Sequence, residues 1–298
     1  MTVANVNAMN ATAEIQRPSD EERDMYGLTH PGKVRKDNQD HFLICTVHPQ
    51  VTVDVTSLPN VDEIPLRGSR LATVALVADG VGGSDSGSDA ARLAAETVAR
   101  YVSSTLRSYH TAGSASEDLM MQALEDAVLQ AHDVVRAEGA ARAEPKPMAT
   151  TLTVCLVVWP WLYVVQVGDS RAYYFDGTML HQVTRDQTVG QHLVDTGALP
   201  QERLSASPFH SVLASAIGGP KAAPRVSRLE FRRSGTLLLC SDGLTRHVTN
   251  DEIAAHIRTM TSAEQLCHSL VDLALERGGK DNITVVVGRA PKRTTATV

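Results

Sequence analysis

Residues 71–83 read Leu-Ala-Thr-Val-Ala-Leu-Val-Ala-Asp-Gly-Val-Gly-Gly, an apolar run that stops at Asp79-Gly80. A short, continuous apolar run bounded by turn residues is typical of a strand that is buried on both faces. The pattern recurs at residues 236–243, where Asp242 and Gly243 follow the run Thr-Leu-Leu-Leu-Cys-Ser. Two buried strands that each end in an aspartate predict a carboxylate-lined edge between packed sheets.

Further apolar runs extend this pattern along the chain. The runs predicted as strands are Asp40–Val47, Leu71–Ala78, Thr151–Val158, Leu162–Val167, Arg171–Phe175, Thr236–Cys240 and Ile283–Val287. Several are separated only by tight turns, and Asp176-Gly177 is a typical hairpin turn. The sheets are therefore predicted to be largely antiparallel.

Amphipathic segments predict helices that occur in pairs. One apolar stripe comprises Ala91, Ala95, Val98, Val102 and Leu106, and the next comprises Met120, Leu124, Ala127, Ala131 and Val134. A third helix is predicted from near Asp186 to Gly197. Two more are predicted to begin with the capping boxes Thr249-x-x-Glu252 and Thr261-x-x-Glu264. Helix pairs and antiparallel strands predict an α+β fold, a four-layer αββα sandwich, rather than a doubly wound parallel sheet.

The domain organisation follows from where these patterns begin and end. We predict a single domain over residues 25–290, a disordered tail over 1–24 and a second tail over 291–298. Residues 48–70 and 197–225 are long irregular connections, which are usually functional or mobile. The first of them is longer than a simple strand connection needs, and we expect it to serve a partner.

Composition restricts the function classes and the compartment. The formal net charge of −6 argues against a nucleic-acid-binding protein. Four cysteines without a Cys-x-x-Cys pair are interpreted as core thiols of a reducing compartment. The most apolar window, residues 154–167, is too short for a membrane span and is interrupted by a turn. These features predict a cytoplasmic protein.

The aspartates at strand ends carry the functional prediction. Asp79 and Asp242 are joined in this pattern by Asp40, Asp169 and Asp281. Each one alone is usually a turn residue, but five converging carboxylates could not all be ionised without cations. Sites built from oxygen ligands suit Mg²⁺ or Mn²⁺. Two such ions about 3.5–4 Å apart can activate a water for attack on a phosphate ester.

A phosphate ester also needs a cationic partner. Arg35 precedes the segment Asn38-Gln39-Asp40, and a guanidinium can bind phosphate oxygens in a bidentate manner. The alternative for Arg35 is an ordinary solvated surface arginine.

Seven segments in the same order resemble the metal-dependent Ser/Thr protein phosphatase family of the 2C type, in its bacterial form. They are GKVRKDNQD at 32–40, VADGVGG at 77–83, ATTL at 149–152, VGDSR at 167–171, TRD at 184–186, LCSDGL at 239–244 and KDNIT at 280–284. The resemblance covers about residues 26–290. No single segment is specific for this family, but all seven in this order are.

The resemblance implies an αββα sandwich with two Mn²⁺ or Mg²⁺ ions between the sheets. Asp79 would bridge both ions, the Gly80 carbonyl would bind one, Asp242 and Asp281 would be further ligands, and Asp169 would hold a third ion. Arg35 would bind the substrate phosphate and Asp40 would orient the water. The segment after Thr196 would form a flap that affects substrate choice.

The implied reaction is hydrolysis of phosphoserine and phosphothreonine monoesters by direct attack of a hydroxide that bridges the two ions. The implied partners are phosphorylated proteins, among them a Ser/Thr kinase, with a role in signalling. The chain departs from eukaryotic members at Gln39, where they have Glu, and at Val81, where they have the His thought to act as general acid. His30 and Ala149 also depart from the family's usual residues, and we have no functional account of either.

Other phosphatase and hydrolase classes fit less well. A haloacid-dehalogenase-type site needs an Asp at position 81, and a GDS-type serine hydrolase needs a C-terminal Asp-x-x-His that the chain lacks. Residues 80–87 fit neither a dinucleotide-binding nor a P-loop pattern. A non-catalytic signalling module with the phosphatase fold remains the alternative. Retention of all four predicted carboxylate ligands favours the enzyme.

Overall fold

The computed structural model describes residues 16–50, 68–82, 85–112, 117–142 and 148–291, with the backbone alone described at 107–112. Eleven strands within these ranges form two antiparallel sheets. The first sheet has the order β1 (Asp24–His30), β11 (Ile283–Arg289), β10 (Thr236–Cys240), β7 (Arg171–Phe175) and β8 (Leu180–Gln182). The second has the order β2 (Asp40–Val47), β3 (Ala72–Val81), β5 (Leu152–Val158), β6 (Trp161–Val167) and β9 (Arg225–Glu230), with β4 (Ala149–Thr150) paired to β3.

Helices cover the outer face of each sheet. The long helices α1 (Asp85–Ala112) and α2 (Glu117–Arg142) pack on the second sheet. The shorter helices α4 (Asp242–Thr245), α5 (Asn250–Thr259) and α6 (Ala263–Glu276) pack on the first. Helix α3 (Val189–Asp195) belongs to the connection that leads from β8 to β9. The layers therefore follow the predicted order of helices, sheet, sheet, helices.

Alternation of side chains along the strands explains their continuous apolar sequences. On β3, Leu76 packs under the long helices, whereas Val77 points into the layer between the sheets. On β10, Leu238 faces α5 and α6, whereas Leu239 faces the opposite sheet. Because both faces of these strands are buried, polar residues are needed only where the strands end.

Several elements differ from the prediction. Strands β1, β4, β8 and β9 were not predicted. Strands β4 and β8 are very short, whereas β1 and β9 are mostly half-buried and rich in polar residues. Helix α3 begins at Val189 rather than near Asp186, because Thr188 accepts the capping hydrogen bond. The cap of α6 is Ser262, which accepts from the Gln265 amide, and the predicted Thr261 box is wrong. The stripe of α2 continues through Val135, and Val134 is only half-buried.

Contacts with the domain begin within the predicted N-terminal tail. The Arg70 guanidinium donates to the Pro18 carbonyl at 2.6 Å and also pairs with Asp20. Arg23 donates to Thr73 on β3 at 2.8 Å. Residues 16–24 thus pack against the second sheet, while residues 1–15, 51–67 and 292–298 lie outside the described ranges. The predicted tails and the partner-binding role of 48–70 therefore stay predictions.

All four cysteines are free, with three buried and Cys45 half-buried. Within the described ranges, no helix combines the length and apolar character needed to cross a bilayer.

Candidate active site

The predicted aspartates meet at one edge of the sandwich. Asp40 and Asp79 lie directly opposite each other on β2 and β3 of the second sheet. Asp169 lies in the turn that leads from the second sheet to the first, and Asp242 and Asp281 flank β10 and β11 of the first sheet. A cavity of about 350 Å³ is lined by Arg35, Asp79, Asp169, Asp242 and Asp281. Both sheets therefore contribute acidic side chains to one site.

The glycines that follow two of these aspartates permit close backbone approach. A Cβ atom on Gly243 would lie 1.9 Å from the Asn282 carbonyl oxygen, and one on Gly80 would lie 2.4 Å from the Gly87 carbonyl oxygen. Neither glycine has a positive φ, so space rather than backbone freedom requires them. The close approach at Gly243 brings Asp242 beside Asp281.

Threonine and serine hydroxyls hold the backbone at Asp79. The Thr150 hydroxyl donates to the Asp79 carbonyl at 2.9 Å, and the Asp79 amide donates to the Thr151 hydroxyl at 3.1 Å. The Thr151 and Ser170 hydroxyls are 2.7 Å apart, which connects this support to the residue after Asp169. The segments at 149–152 and 167–171 thus act as one scaffold.

Asp40 is held by hydroxyls from the opposite sheet. Its Oδ2 accepts from Ser241 at 2.7 Å and from Thr284 at 2.6 Å, and the residue is only 3% exposed. Its Oδ1 is buried without a hydrogen-bond partner among the described residues. Burial raises the pKa of Asp40 to about 6, although the two hydroxyls favour the charged form and the nearby aspartates oppose it.

Burial and mutual repulsion also raise the pKa values of the other carboxyl groups. Desolvation raises the pKa of Asp79 well above its ordinary value, and the charges of Asp40, Asp242, Asp169 and Asp281 raise it further. Burial and the Asp242 charge raise the pKa of Asp169 to about 8. The pKa of Asp242 is also raised, chiefly by burial. Such a cluster is stabilised in its charged form only by cations.

Two arginines supply positive charge at this site. The Arg35 guanidinium binds both oxygens of Asp281, at 2.8 and 2.9 Å. The Arg246 guanidinium donates to Asp281 Oδ2 at 3.0 Å and pairs with Asp242. Arg246 was not predicted from the sequence. Its position four residues after Asp242, one turn along a helix, is the signal that could have revealed it.

The residues fit a hard divalent cation by their donor chemistry. The candidate ligands are carboxylate oxygens with raised pKa values, and Asp40 has a buried oxygen without a partner among the described residues. In the described part of the chain, no three acidic, histidine or cysteine side chains are grouped closely enough to form a ready-made ligand set. The Arg246 guanidinium bridges Asp242 and Asp281 instead, and Arg35 pairs with Asp281.

Comparison with known proteins agrees with this arrangement. Residues 54–275 match the family model described as Protein phosphatase 2C. The chain belongs to the protein phosphatase 2C family. The predicted family and the predicted sandwich are both confirmed.

Relatives of this 2C-family chain are bacterial phosphatases. The Serine/threonine protein phosphatase PstP of Mycobacterium tuberculosis is 32% identical over 228 residues, which is 76% of this chain but only 42% of that relative. The solved structure of PstP/Ppp from the same organism has a TM-score of 0.71 and 27% identity, covering 91% of this chain and 99% of that one. A PstP catalytic domain in complex with two manganese ions matches with a TM-score of 0.68 and 27% identity, covering 90% and 97%.

Asn282 fixes the loop of the 2C-family site that carries Arg35. Its side-chain amide donates to the carbonyls of Pro31 and Asp37, each at 2.9 Å, and its Oδ1 accepts from the Gln39 amide at 2.9 Å. The side chain therefore joins residues 31–39 to the start of β11.

We expect Asn282→Ala to lower the free energy of unfolding by about 2–3 kcal/mol, because three hydrogen bonds are lost in a largely buried position. Urea denaturation measures this loss. Gln122→Ala is the matched control, since that exposed amide makes one bond to Asp126 and its loss should cost under about 0.5 kcal/mol. Equal effects of the two substitutions would show that Asn282 does not tie the loop.

A larger groove of about 840 Å³ adjoins the cavity of this 2C-family domain. It shares Asp169, Asp242 and Arg246 with the cavity and is bordered by residues 201–211, which lie within the predicted flap after Thr196. Val81, which stands where a histidine was expected in eukaryotic members, is 37% exposed beside the cavity. Its apolar side chain cannot transfer a proton.

Proposed function

We propose that this chain is a protein serine/threonine phosphatase that hydrolyses phosphoserine and phosphothreonine with the help of two Mn²⁺ or Mg²⁺ ions. The observation that carries the proposal is the gathering of aspartates from both sheets around one cavity, with raised carboxyl pKa values. Membership of the 2C family and the manganese complex of PstP support it. The chain spans under half the length of that relative, so its substrates are part of the proposal.

The proposed ligands are Asp79, the Gly80 carbonyl, Asp242 and Asp281, with Asp169 as the ligand of a third ion. Bound ions would lower the pKa of a water and neutralise the phosphate, so that a nucleophile is available at neutral pH. Asp79 is central among these residues, because the charges of four other aspartates act on its carboxyl group. It is therefore the residue that would contribute to holding both ions.

Other residues of the chain would position the substrate and the water. Arg35 would bind the substrate phosphate, since its planar guanidinium already makes a bidentate contact with the Asp281 carboxylate. The Oδ1 of Asp40, which has no partner among the described residues, would accept a hydrogen bond from the attacking water and orient it, while Ser241 and Thr284 hold its Oδ2. Water or another group would protonate the leaving serine or threonine oxygen, because Val81 cannot.

Attack on phosphorus would be direct. Among the described residues, those that line the cavity include no cysteine or histidine, and the proposal assigns its aspartates to the ions, so that water is the nucleophile we propose. A burst of phosphoenzyme in rapid-quench measurements would contradict direct attack. The physiological substrates would be phosphoproteins in the cytoplasm, and the phosphatase would oppose a Ser/Thr kinase in signalling.

Hydrolysis of a phosphothreonine peptide tests the function. We expect phosphate release with Mn²⁺, none with EDTA, and recovery when Mn²⁺ is restored. Manganese binding without hydrolysis of phosphothreonine or phosphoserine peptides would instead favour a non-catalytic module.

We expect Arg35→Ala to raise KM for the phosphopeptide about tenfold or more at saturating Mn²⁺, because a charge-assisted contact to phosphate is lost. Arg35→Lys should give an intermediate KM, since it keeps the charge but not the planar fork. Steady-state kinetics at several peptide concentrations separate KM from kcat. An unchanged KM in Arg35→Ala would remove Arg35 from phosphate binding.

A further inference from the structure

Arg246 contacts the same carboxylates that the proposed function assigns to the metal ions. Its Nη1 donates to Asp281 Oδ2 at 3.0 Å, and its Nη2 pairs with Asp242 Oδ2. Its charge also interacts with that of Asp169. Three of the four proposed carboxylate ligands therefore share one guanidinium.

Local structure places Arg246 at this position. Asp242 begins the single-turn helix α4, and Arg246 is its C-cap residue, so the two side chains lie one above the other. The Arg246 side chain is 38% exposed and lines both the acidic cavity and the adjoining groove. It can therefore leave the carboxylates for the groove without unfolding the helix.

A carboxylate oxygen that accepts a guanidinium hydrogen bond has one lone pair fewer for an ion, and it is held beside a positive charge. Asp281 is the clearest case, because Arg35 occupies both of its oxygens and Arg246 occupies Oδ2 as well. Repulsion between the guanidinium and an incoming divalent ion adds to this competition in a largely enclosed site.

We propose that Arg246 is an internal counter-ion of the acidic cluster that a divalent ion must displace from Asp242 and Asp281. Its displacement sets the metal affinity of the chain, and the released side chain then lies in the groove. This inference rests on the proposed metal site. It makes Arg246 a positioning residue, which acts on the reaction through the carboxylates.

Titration calorimetry of Mn²⁺ binding to the full chain, after chelator treatment, tests the proposal. We expect Arg246→Met to tighten Mn²⁺ binding about tenfold or more, because the competing charge is removed. Arg246→Lys should tighten binding less, since it keeps the charge but loses the double contact. The rise in Tm that Mn²⁺ produces should be larger in Arg246→Met than in the unsubstituted protein.

Arg277→Met is the matched control. Arg277 lines the same groove but pairs with Glu252 instead of the aspartate cluster, so its Mn²⁺ affinity should stay within about threefold of the unsubstituted protein. An unchanged or weaker affinity in Arg246→Met, or an equal tightening in Arg277→Met, would overturn the proposal. If Arg246→Met does not fold, an Mn²⁺ affinity of Arg246→Lys equal to that of the unsubstituted protein would overturn it instead.

Failure of the proposed function would look different. The unsubstituted chain would then show no Mn²⁺ binding in calorimetry and no shift in Tm with Mn²⁺. Binding by the unsubstituted chain with no change in Arg246→Met would leave the phosphatase proposal intact and remove only this one.

Discussion

Replacing Asp79 with asparagine is expected to lower kcat/KM toward a phosphothreonine peptide by about 10³-fold or more, because the residue that would bridge both ions loses its charge. The backbone of Asp79 is fixed by hydrogen bonds with Thr150 and Thr151. These hydrogen bonds keep the backbone at position 79 in place, so the main chain cannot move to bring another ligand to the ions. Phosphate release at saturating Mn²⁺ measures the loss, and calorimetry should show weaker Mn²⁺ binding by the same variant.

Controls separate this effect from damage to the fold. Asp176→Asn changes another Asp-Gly aspartate that lies in the exposed hairpin turn between β7 and β8, and it should retain full activity. Asp242→Asn should match Asp79→Asn. The Tm of metal-free Asp79→Asn should be no lower than that of the metal-free parent, since the asparagine amide, unlike a carboxyl group, can never add a repelling charge to the cluster. Activity in Asp79→Asn above a tenth of the parent's would exclude Asp79 as the bridging ligand.

The affinity for Mn²⁺ is expected to rise with pH between about 5.5 and 8. Carboxyl groups with ordinary pKa values near 4 are fully ionised over this range and would give an almost constant affinity. Here the pKa of Asp40 is raised to about 6 and that of Asp169 to about 8, and the pKa values of Asp79 and Asp242 are raised as well. Ion binding must therefore expel protons, at about tenfold in affinity per pH unit for each proton released.

The stability of the metal-free fold is expected to change with pH in the opposite direction to the Mn²⁺ affinity. Because the folded carboxyls have raised pKa values, the folded state binds more protons than the unfolded chain between about pH 4 and 8. Their contribution to stability is fully present below pH 4 and falls as the pH rises through the folded pKa values. His41, His132 and His247 oppose this trend, since burial lowers their pKa values and favours folding above about pH 6.5. The histidines contribute equally to the free energy of unfolding with and without Mn²⁺. The stabilisation that Mn²⁺ adds is therefore free of their contribution, and it should grow with pH.

Calorimetry in two buffers with different ionisation enthalpies counts the protons directly. We expect proton release at pH 7 in the unsubstituted chain and less release in Asp169→Asn, which lacks the group with the pKa of about 8. Asp176→Asn is the control, because Asp176 lies in an exposed turn away from the cluster and its substitution should leave the proton count unchanged. Asp186 is less suitable, since it forms an ion pair with Arg171. An affinity that is constant from pH 6 to 8 would show that the carboxyls are already ionised.

The sequence predicted the sandwich because its central strands are buried on both faces. Continuous apolar runs such as those of β3 and β10 exclude a solvent-facing sheet, and the paired amphipathic helices require two sheet faces to cover. The edge strands β1 and β9 were missed for the opposite reason. Their mixed polar and apolar residues resemble a loop, and only pairing with β11 and β6 makes them strands.

The candidate site was predictable in its residues but not in its contacts. Aspartates at strand ends were visible, and the structure places all five at one edge. The sequence could not show that Arg35 and Arg246 both reach Asp281, because these contacts join residues more than thirty positions apart. The sequence also could not show the role of Gly243, because Asp242-Gly243 looks like an ordinary Asp-Gly turn. In the structure, the missing side chain of Gly243 lets α4 contact the start of β11.

The bonds from Ser241 and Thr284 to Asp40 connect side chains that are 201 and 244 positions apart in the chain. Each bond crosses from one sheet to the other, so neither half of the sandwich can assemble the reaction centre alone. The proposed catalysis would therefore require the entire domain to be folded. A fragment or a locally melted form would lose turnover before it lost most of its secondary structure.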